Sequence, residues 1–294
     1  MYREEKIIPP KKVVTVHDIS CCGRCAQTVI IPLLSALSVQ AVPLPTALLS
    51  THTGGFDDFT FLDLTEQMKD IEKHWSALDI SFDGVYTGFL GSEKQIENVA
   101  MFAQRCRKRN PGCIFLADPV MGDDGEKYKT YTDSMCLLTR RLIKDADIIT
   151  PNFTEACILT DTPYRKNPDD EEIRRVFERL SRLTGADIVI TGVRIEHPDA
   201  SDKLKICTVY RQKKGRYSGG FGKAYFGYTD ANYPGTGDVF SSVLLSLILQ
   251  GTEFRLAVER AGAFVSQVAD YTYRCETPIR EGLLIEPLLK SLIS

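Results

Sequence analysis

Asn232-Tyr233-Pro234-Gly235-Thr236-Gly237-Asp238-Val239-Phe240 is the stretch on which the reading of this chain turns. An apolar, helix-compatible run from Ser241 to Leu249 follows it. Two glycines just ahead of a helix let the backbone turn a corner that Cβ atoms would block. Free N–H groups at the helix start then converge on one point, where the helix dipole adds positive potential. Such a point suits a phosphate, or the charge gathering on a phosphoryl group in transfer. Asp238 stands beside it, able to take a proton from an attacking hydroxyl. The same residues allow a plainer reading, in which Thr236 or Asp238 only caps the helix. The motif is too short to decide between the two by itself.

The 294 residues suffice for one large α/β domain or two small ones. A hydrophobic fraction of 43%, a charged fraction of 26% and a net charge of -3 are those of an ordinary soluble domain, with no basic excess to suggest nucleic acid. No apolar run is long enough to span a bilayer. Met1 to Lys12 is charged, contains Pro9 and Pro10, and lacks the apolar core of a signal peptide. It reads as an N-terminal extension. Nine cysteines, an odd number scattered through core-like segments, fit reduced thiols and a cytoplasmic location better than a disulfide framework.

Upstream of the glycine corner, apolar runs alternate with helical patterns. Val13 to Val16 reads as a first strand, His17 to Gly23 as the loop after it, and Arg24 to Leu37 as a helix kinked or broken by Pro32. Loops at the carboxyl ends of strands are where ligands bind in open α/β sheets, so Asp18 and Ser20 become candidates to face a substrate. Cys22-Gly23-Arg24-Cys25 is a lone C-x-x-C without the second pair a metal would want, and its small residues read chiefly as packing. A thiol there could also add reversibly to an aldehyde. Ala41 to Leu49 is an edge or irregular strand, given Pro43 and Pro45. Ser50 to Phe56 is a polar glycine loop, with His52 a ligand contact or a structural hydrogen-bonder. Leu64 to Leu78 reads as a helix, and Asp83 to Gly91 as a strand ending in a glycine loop, where Phe89 either stacks on a ring or fills the core. Ser92 and Gln95 suggest a capping box for the helix running to Arg109.

Cys113 to Gly125 is the second dense motif: a strand ending in Asp118, with Asp123 and Asp124 close behind. Acidic loops of this kind hold hydrated Mg²⁺ next to phosphates, or are merely solvated turns. Ala146 to Thr150 is a strand running into Pro151-Asn152 and a helix whose first turn holds Glu155, a favourable place for a carboxylate on dipole grounds alone. Pro168-Asp169-Asp170 starts a helix to Leu183, and Asp187 to Val193 is the next strand. Pieces at Ile206–Arg211, Arg216–Ser218 and Ala224–Phe226 read as antiparallel strands, with Arg216, Lys223 and Tyr225 open to a nucleotide contact or to plain surface roles. Thr252 to Tyr273 is a last long helix, and Ile285 to Ile293 closes the chain. The alternation argues for a mainly parallel sheet covered on both faces, in a single domain over residues 1–294.

Ser50-Thr51-His52-Thr53-Gly54, Asp118-Pro119-Val120-Met121-Gly122-Asp123, Thr150-Pro151-Asn152 with Glu155, and Gly235-Thr236-Gly237-Asp238 occur in the order seen in the ribokinase-like superfamily. From Val13 to Tyr273 the chain resembles the pyridoxal (vitamin B6) kinases. That resemblance implies a three-layer α/β/α sandwich and transfer of the ATP γ-phosphoryl group to the 5′-hydroxymethyl of a B6 vitamer, with no Walker A pattern. It implies Asp238 as base and Gly235, Thr236 and Gly237 as the anion hole. Asp18, Ser20, Thr53, Gly54 and Phe89 are implied on the substrate side. Asp118, Thr150, Glu155 and Thr191 are implied near the nucleotide, and Asp118, Asp123 and Glu155 around Mg²⁺ and a monovalent cation. A homodimer is implied as well, with no nucleic-acid or membrane partner. Two positions depart from the family pattern: Asp18 stands where Ser is usual, and Phe89 where Tyr is common. The Asp18-x-Ser20 pattern also resembles hydroxymethylpyrimidine kinases of thiamine synthesis, which makes that pyrimidine the alternative acceptor. A sugar kinase and a catalytically silent regulator are the more distant readings.

Overall fold

The computed structural model describes residues 9–196, 204–212 and 221–293. Its first strand, β1 (Lys11–Cys22), is longer than the apolar run of Val13 to Val16. His17 to Cys22, expected as a loop, continue it because β2 (Val39–Thr51) runs parallel alongside as far as the Cys22–Thr51 pair. Asp18 and Ser20 therefore sit on strand, not on loop. The register slips between His17 and Ile19, where β2 carries one residue more. Helix α1 (Gln27–Ala36) starts later than the expected Arg24, because Ala26 adopts φ 49 and breaks helical geometry upstream. It runs on through Pro32 without a break. Gln27 locks its first turn to β1, donating to the Thr15 carbonyl at 2.6 Å and accepting from the Thr15 hydroxyl at 2.8 Å.

β3 (Phe61–Asp63) pairs antiparallel with Ala47 to Leu49 only. Pro43 and Pro45 thus lie on the uncovered part of the β2 edge, where the ladder needs no N–H from them. Then follow α2 (Thr65–Ala77), β4 (Gly84–Thr87) and α3 (Glu93–Arg109). Ser92 caps α3 as expected, but only half of the capping box forms. The Gln95 side chain reaches past Ser92 to accept from Gly91 N–H, and donates to the Thr46 carbonyl and the Thr65 hydroxyl. β5 (Ile114–Ala117) delivers Asp118, and a small hairpin of β6 (Gly122–Asp123) and β7 (Glu126–Lys127) replaces the expected open loop, with Asp124-Gly125 as its turn. α4 (Asp133–Leu142) went unread in the sequence, although Thr132 caps it and Met135, Cys136, Thr139 and Leu142 form its buried stripe. The chain continues with β8 (Ile148–Ile149), α5 (Phe153–Thr160), α6 (Asp170–Leu183) and β9 (Asp187–Glu196). β10 (Leu204–Arg211) and β11 (Gly222–Gly227) pair antiparallel, as expected. Arg216 to Ser218 lies outside the described residues. α7 (Thr236–Leu249) and α8 (Phe254–Arg274) complete the helices, before two short 3₁₀ turns at Ile279–Glu281 and Glu286–Leu292.

The nine strands of the main sheet are ordered β11-β10-β9-β8-β5-β4-β1-β2-β3, parallel from β9 through β2. Alternate residues feed two cores. Val14, Val16, Phe115 and Ile149 pack with α2 to α6, while Val13, Tyr86, Leu116 and Ile148 pack with α1, α7 and α8. This is a three-layer α/β/α sandwich. Its parallel strands point their carboxyl ends to one rim, where a cleft opens.

Candidate active site

The start of α7 decides between the two readings of the glycine corner. Its N-cap is Gly235, at φ 86, and no side chain caps the helix. The first helical bond runs from Val239 N–H to the Gly235 carbonyl at 2.9 Å, so the N–H groups of Thr236, Gly237 and Asp238 lie ahead of it. Only glycine fits at 235. A Cβ would stand 2.6 Å from the Arg24 carbonyl, and φ 86 is left-handed backbone. The capping role that Thr236 or Asp238 could have taken is thus not taken, and an uncapped N-terminus faces the cleft.

Asp238 is fixed from the far side of the corner. Its Oδ2 accepts the N–H of Ala26 at 2.7 Å, the same peptide that delays α1. Burial pushes the carboxyl up to about 7, against the pull of that hydrogen bond and helped by the charge of Asp18. The other oxygen, Oδ1, faces the ring of His17, whose Nδ1 lies 3.9 Å away. Burial drives the imidazole down to about 3, so no ion pair exists between them.

Asp118, at the end of β5, lies across from the corner and within 3.4 Å of where a Gly237 Cβ would be. Ser241 of α7 donates to Asp118 Oδ2 at 3.3 Å and touches the Thr150 hydroxyl at 2.9 Å, tying three elements together. Burial and the nearby Asp238 charge hold the Asp118 carboxyl well above the usual range. Glu155 is raised too, by burial and by Asp118. Both of its oxygens are engaged: Oε2 accepts Asn152 N–H at 2.7 Å, closing a capping box on α5, and Oε1 accepts Met121 N–H at 3.1 Å. Asp123 is likewise held, by Asp124 N–H on Oδ1 and by the Asn232 amide on Oδ2 at 2.7 Å. Thr191 forms a bridge with Asn152 at the rim. Among the described residues, no three acidic, histidine or cysteine side chains gather to hold a metal by themselves.

Near the end of β1, Ser20 donates to Asp18 Oδ2 at 2.8 Å, and burial raises the Asp18 carboxyl. His52 has a structural role. Its Nδ1 accepts Gly54 N–H at 3.1 Å and its Nε2 meets the Arg280 carbonyl at 2.7 Å, joining the His52–Phe56 loop to the C-terminal segment. Cys21 and Cys22 are exposed rather than packed, whereas Cys25 lines the cleft. Burial and the carboxylates of Asp238 and Asp18 push its thiol upward, which disfavours the thiolate that addition to an aldehyde would need.

The site residues that the resemblance implies all line one cleft of about 1160 Å³: Asp18, Ser20, Thr53, Gly54, Phe89, Asp118, Asp123, Thr150, Glu155, Thr191 and Gly235 through Asp238. Lys223 and Tyr225 do not line it, and the Lys223 ammonium pairs instead with Asp170. His17 and Asn232 line it without a role assigned from the sequence, as do Cys25, read there only as a packing residue or a thiol that could add to an aldehyde, and Asn152, named there only as a motif residue. The available signal for His17 was its place next to Asp18 at the carboxyl end of a strand.

Comparison with known proteins matches residues 31–280 to the phosphomethylpyrimidine kinase family model. Among solved structures, the chain is similar to a Bacteroides thetaiotaomicron protein assigned to the phosphomethylpyrimidine kinases and crystallised in an orthorhombic form with pyridoxal. The TM-score is 0.86 and the identity 39%, over 97% of this chain and 96% of that one. It is also similar to the pyridoxal kinase of Lactobacillus plantarum (TM-score 0.84, 26% identity, 96% of each chain). Among curated proteins, the pyridoxal kinase of Dictyostelium discoideum is 24% identical over 278 residues, which is 91% of this chain and 88% of that one.

Proposed function

The chain belongs to the phosphomethylpyrimidine kinase family, among relatives that are pyridoxal kinases, and on that premise we propose that it phosphorylates the 5′-hydroxymethyl of pyridoxal, pyridoxine or pyridoxamine with ATP. The observation that carries this reading is the uncapped start of α7 with the Asp238 carboxylate beside it. Those N–H groups are placed to stabilise charge on a phosphoryl group passing in line from ATP to the acceptor. Asp238 takes the acceptor's proton on Oδ1, the oxygen not held by Ala26. A carboxyl near 7 suits that task, since it is a stronger base than an ordinary aspartate and yet largely ionised above neutrality.

Thr150, Thr191 and Glu155 form the nucleotide side. Glu155 acts there by holding the Asn152 and Met121 backbone, with its charge near Asp118. Mg²⁺ fits the donor chemistry of this crowded acidic floor: Asp118, together with phosphate oxygens and water, is the residue to hold it, with Asp123 and Glu155 behind. The bound ion would offset the charge of the transferred group. A monovalent cation belongs to the same neighbourhood. Asp18, Ser20, Thr53, Gly54 and Phe89 form the acceptor side, with Phe89 stacking on the ring and Asp18 pairing with a protonated ring nitrogen. A homodimer in the cytoplasm completes the reading, supported by the exposed apolar edge formed by Leu48, Phe61 and Leu62.

Hydroxymethylpyrimidine, the second acceptor, has the family model's own description in its favour. It is not favoured, because the curated relatives are pyridoxal kinases and the 39%-identical neighbour was crystallised with pyridoxal. The test is ATP-dependent phosphorylation of pyridoxal, pyridoxine, pyridoxamine, hydroxymethylpyrimidine and ribose, with and without Mg²⁺. A B6 vitamer turned over far faster than the others is the expected result. Preference for the pyrimidine, or silence on the whole panel, overturns the reading.

A further inference from the structure

His17 is buried to 1% exposure in a cleft wall, and the neighbourhood is built around its ring. Tyr86 packs edge-on against it, with centroids 4.4 Å apart at 68°. Two residues further on, position 88 has to be glycine, because a Cβ there would come within 2.3 Å of the imidazole Cε1 and 2.4 Å of Nδ1. Wedged in this slot, the ring presents Nδ1 to Asp238 Oδ1 at 3.9 Å, while Nε2 is buried with no hydrogen-bond partner. A buried imidazole has its tautomer favoured by the polar neighbour it faces, which among the described contacts of His17 is Asp238. Here the neighbour is a carboxylate oxygen, an acceptor, and it favours the Nδ1–H form. At 3.9 Å the pair is longer than a hydrogen bond, and an Nδ1–H donor there would draw Asp238 towards the ring.

We propose that His17 is a positioning residue for Asp238: an imidazole whose Nδ1–H faces Oδ1, holds the carboxylate oriented for the acceptor hydroxyl, and favours its ionised form. The proposal rests on the reading of Asp238 as the base. Ala26 N–H holds Oδ2 at 2.7 Å and His17 Nδ1 faces Oδ1 at 3.9 Å, so each carboxylate oxygen has its own neighbour. The other titratable groups acting on Asp238 are Asp18 of β1, Asp118 beyond β5, Cys25 ahead of α1, Tyr86 of β4 and Tyr128 beyond β7. None of these groups is cationic, which leaves the His17 N–H as the side-chain donor facing Asp238 among the described residues. Burial keeps His17 itself uncharged across the working range, so it shapes the titration of Asp238 without contributing one of its own.

The test is the pH dependence of kcat and kcat/KM for His17→Asn, His17→Gln and His17→Leu, alongside Asp238→Asn. Asparagine can put an N–H close to the Nδ1 position, glutamine places its amide near Nε2, and leucine has neither. For the leucine and glutamine variants, the acid limb of the profile should move up by about half a unit to one unit. At neutral pH kcat should fall roughly 10-fold and recover at higher pH, with KM for ATP unchanged. His17→Asn should keep the wild-type limb even if its thermal midpoint drops. A loss of activity in His17→Leu that is the same at every pH, or an unshifted limb in all three variants, overturns the proposal while leaving Asp238 as base. Turnover retained in Asp238→Asn overturns the base assignment and this proposal with it.

Discussion

At the scale of single residues, the site pairs a chemical need with a cost in stability, and Asp238 carries both. Its folded carboxyl sits near 7, above the ordinary 3.8. Between those values the native chain holds a proton that the unfolded chain has released, so native stability falls as pH rises through this window. The favourable contribution is fully present below the ordinary value and is lost as pH climbs past about 7. On the proposed role of Asp238 as base, catalysis runs the other way, since the base must be ionised and kcat/KM should rise with pH through the same region. Asp238→Asn separates the two. It should lose turnover by several orders of magnitude yet keep ATP binding. At pH 8 it should melt higher than the parent, by an amount bounded at about 4 kcal/mol for a three-unit displacement. The gap should close towards pH 4. Thermal midpoints at the two pH values, with nucleotide binding by calorimetry, check this. A variant that melts no higher at pH 8 would show the carboxylate to be better solvated than its burial implies.

Among the elements, α7 carries the proposed anion corner at one end and an ordinary stop at the other, and the two ends share a backbone feature. Gly235 before the helix and Gly251 after it both lie in left-handed backbone, at φ 86 and 85. They differ in what surrounds them: a Cβ at 235 would meet the Arg24 carbonyl at 2.6 Å, whereas at 251 nothing lies within 4 Å. Gly251→Ala should therefore cost about 1 kcal/mol of backbone strain and leave kcat alone. Gly235→Ala adds a clash with a backbone atom that cannot swing aside, and should reduce kcat at least about 100-fold by moving the N–H groups off target. Equal effects of the two substitutions on kcat would remove the corner from the mechanism. This contrast also bears on what could be read from sequence. The corner was legible because its signal is local, two glycines and an aspartate ahead of an apolar helix. The end of β1 was not, because whether His17 to Cys22 extend or loop is decided by β2, a partner beyond any local window. For the same reason Asp18 and Ser20 were placed correctly in the cleft but on the wrong kind of backbone. The hydrogen bonds that occupy Glu155 and Asp123 were equally hidden, since Met121 and Asn232 reach them only through the fold.

For the whole molecule, the sheet ends differently on its two sides. At one margin, β11 packs against α8, and Phe226 fills the space over Gly262. At the other, β3 is three residues long, all exposed, and its Leu62 stands directly opposite Leu48 of β2. Leu48 is 40% exposed, Leu62 56% and neighbouring Phe61 48%, which makes an apolar step on an unpaired strand edge. Such an edge invites another chain to cover it, and proteins that leave it bare blunt it with charge. Here the single charged residue of β3 is Asp63, whose carboxylate accepts Thr65 N–H at the start of α2 instead of guarding the strand. A homodimer that seats two copies of this edge against each other would bury the step and enclose the acceptor side of the cleft, because the Phe61 ring leans towards Gly91 in the loop that carries Phe89. Light scattering on the purified protein should give twice the chain mass. Leu62→Glu should give a monomer with unchanged far-ultraviolet dichroism, because the side chain already faces outward. If the edge also shapes the acceptor pocket, the monomer should show a raised KM for the vitamer with KM for ATP little changed, since Thr150, Glu155 and Thr191, proposed for the nucleotide, stand after β8, on α5 and on β9. A wild-type monomer, or a dimer that survives Leu62→Glu, would mean that some other surface, or none, joins the copies.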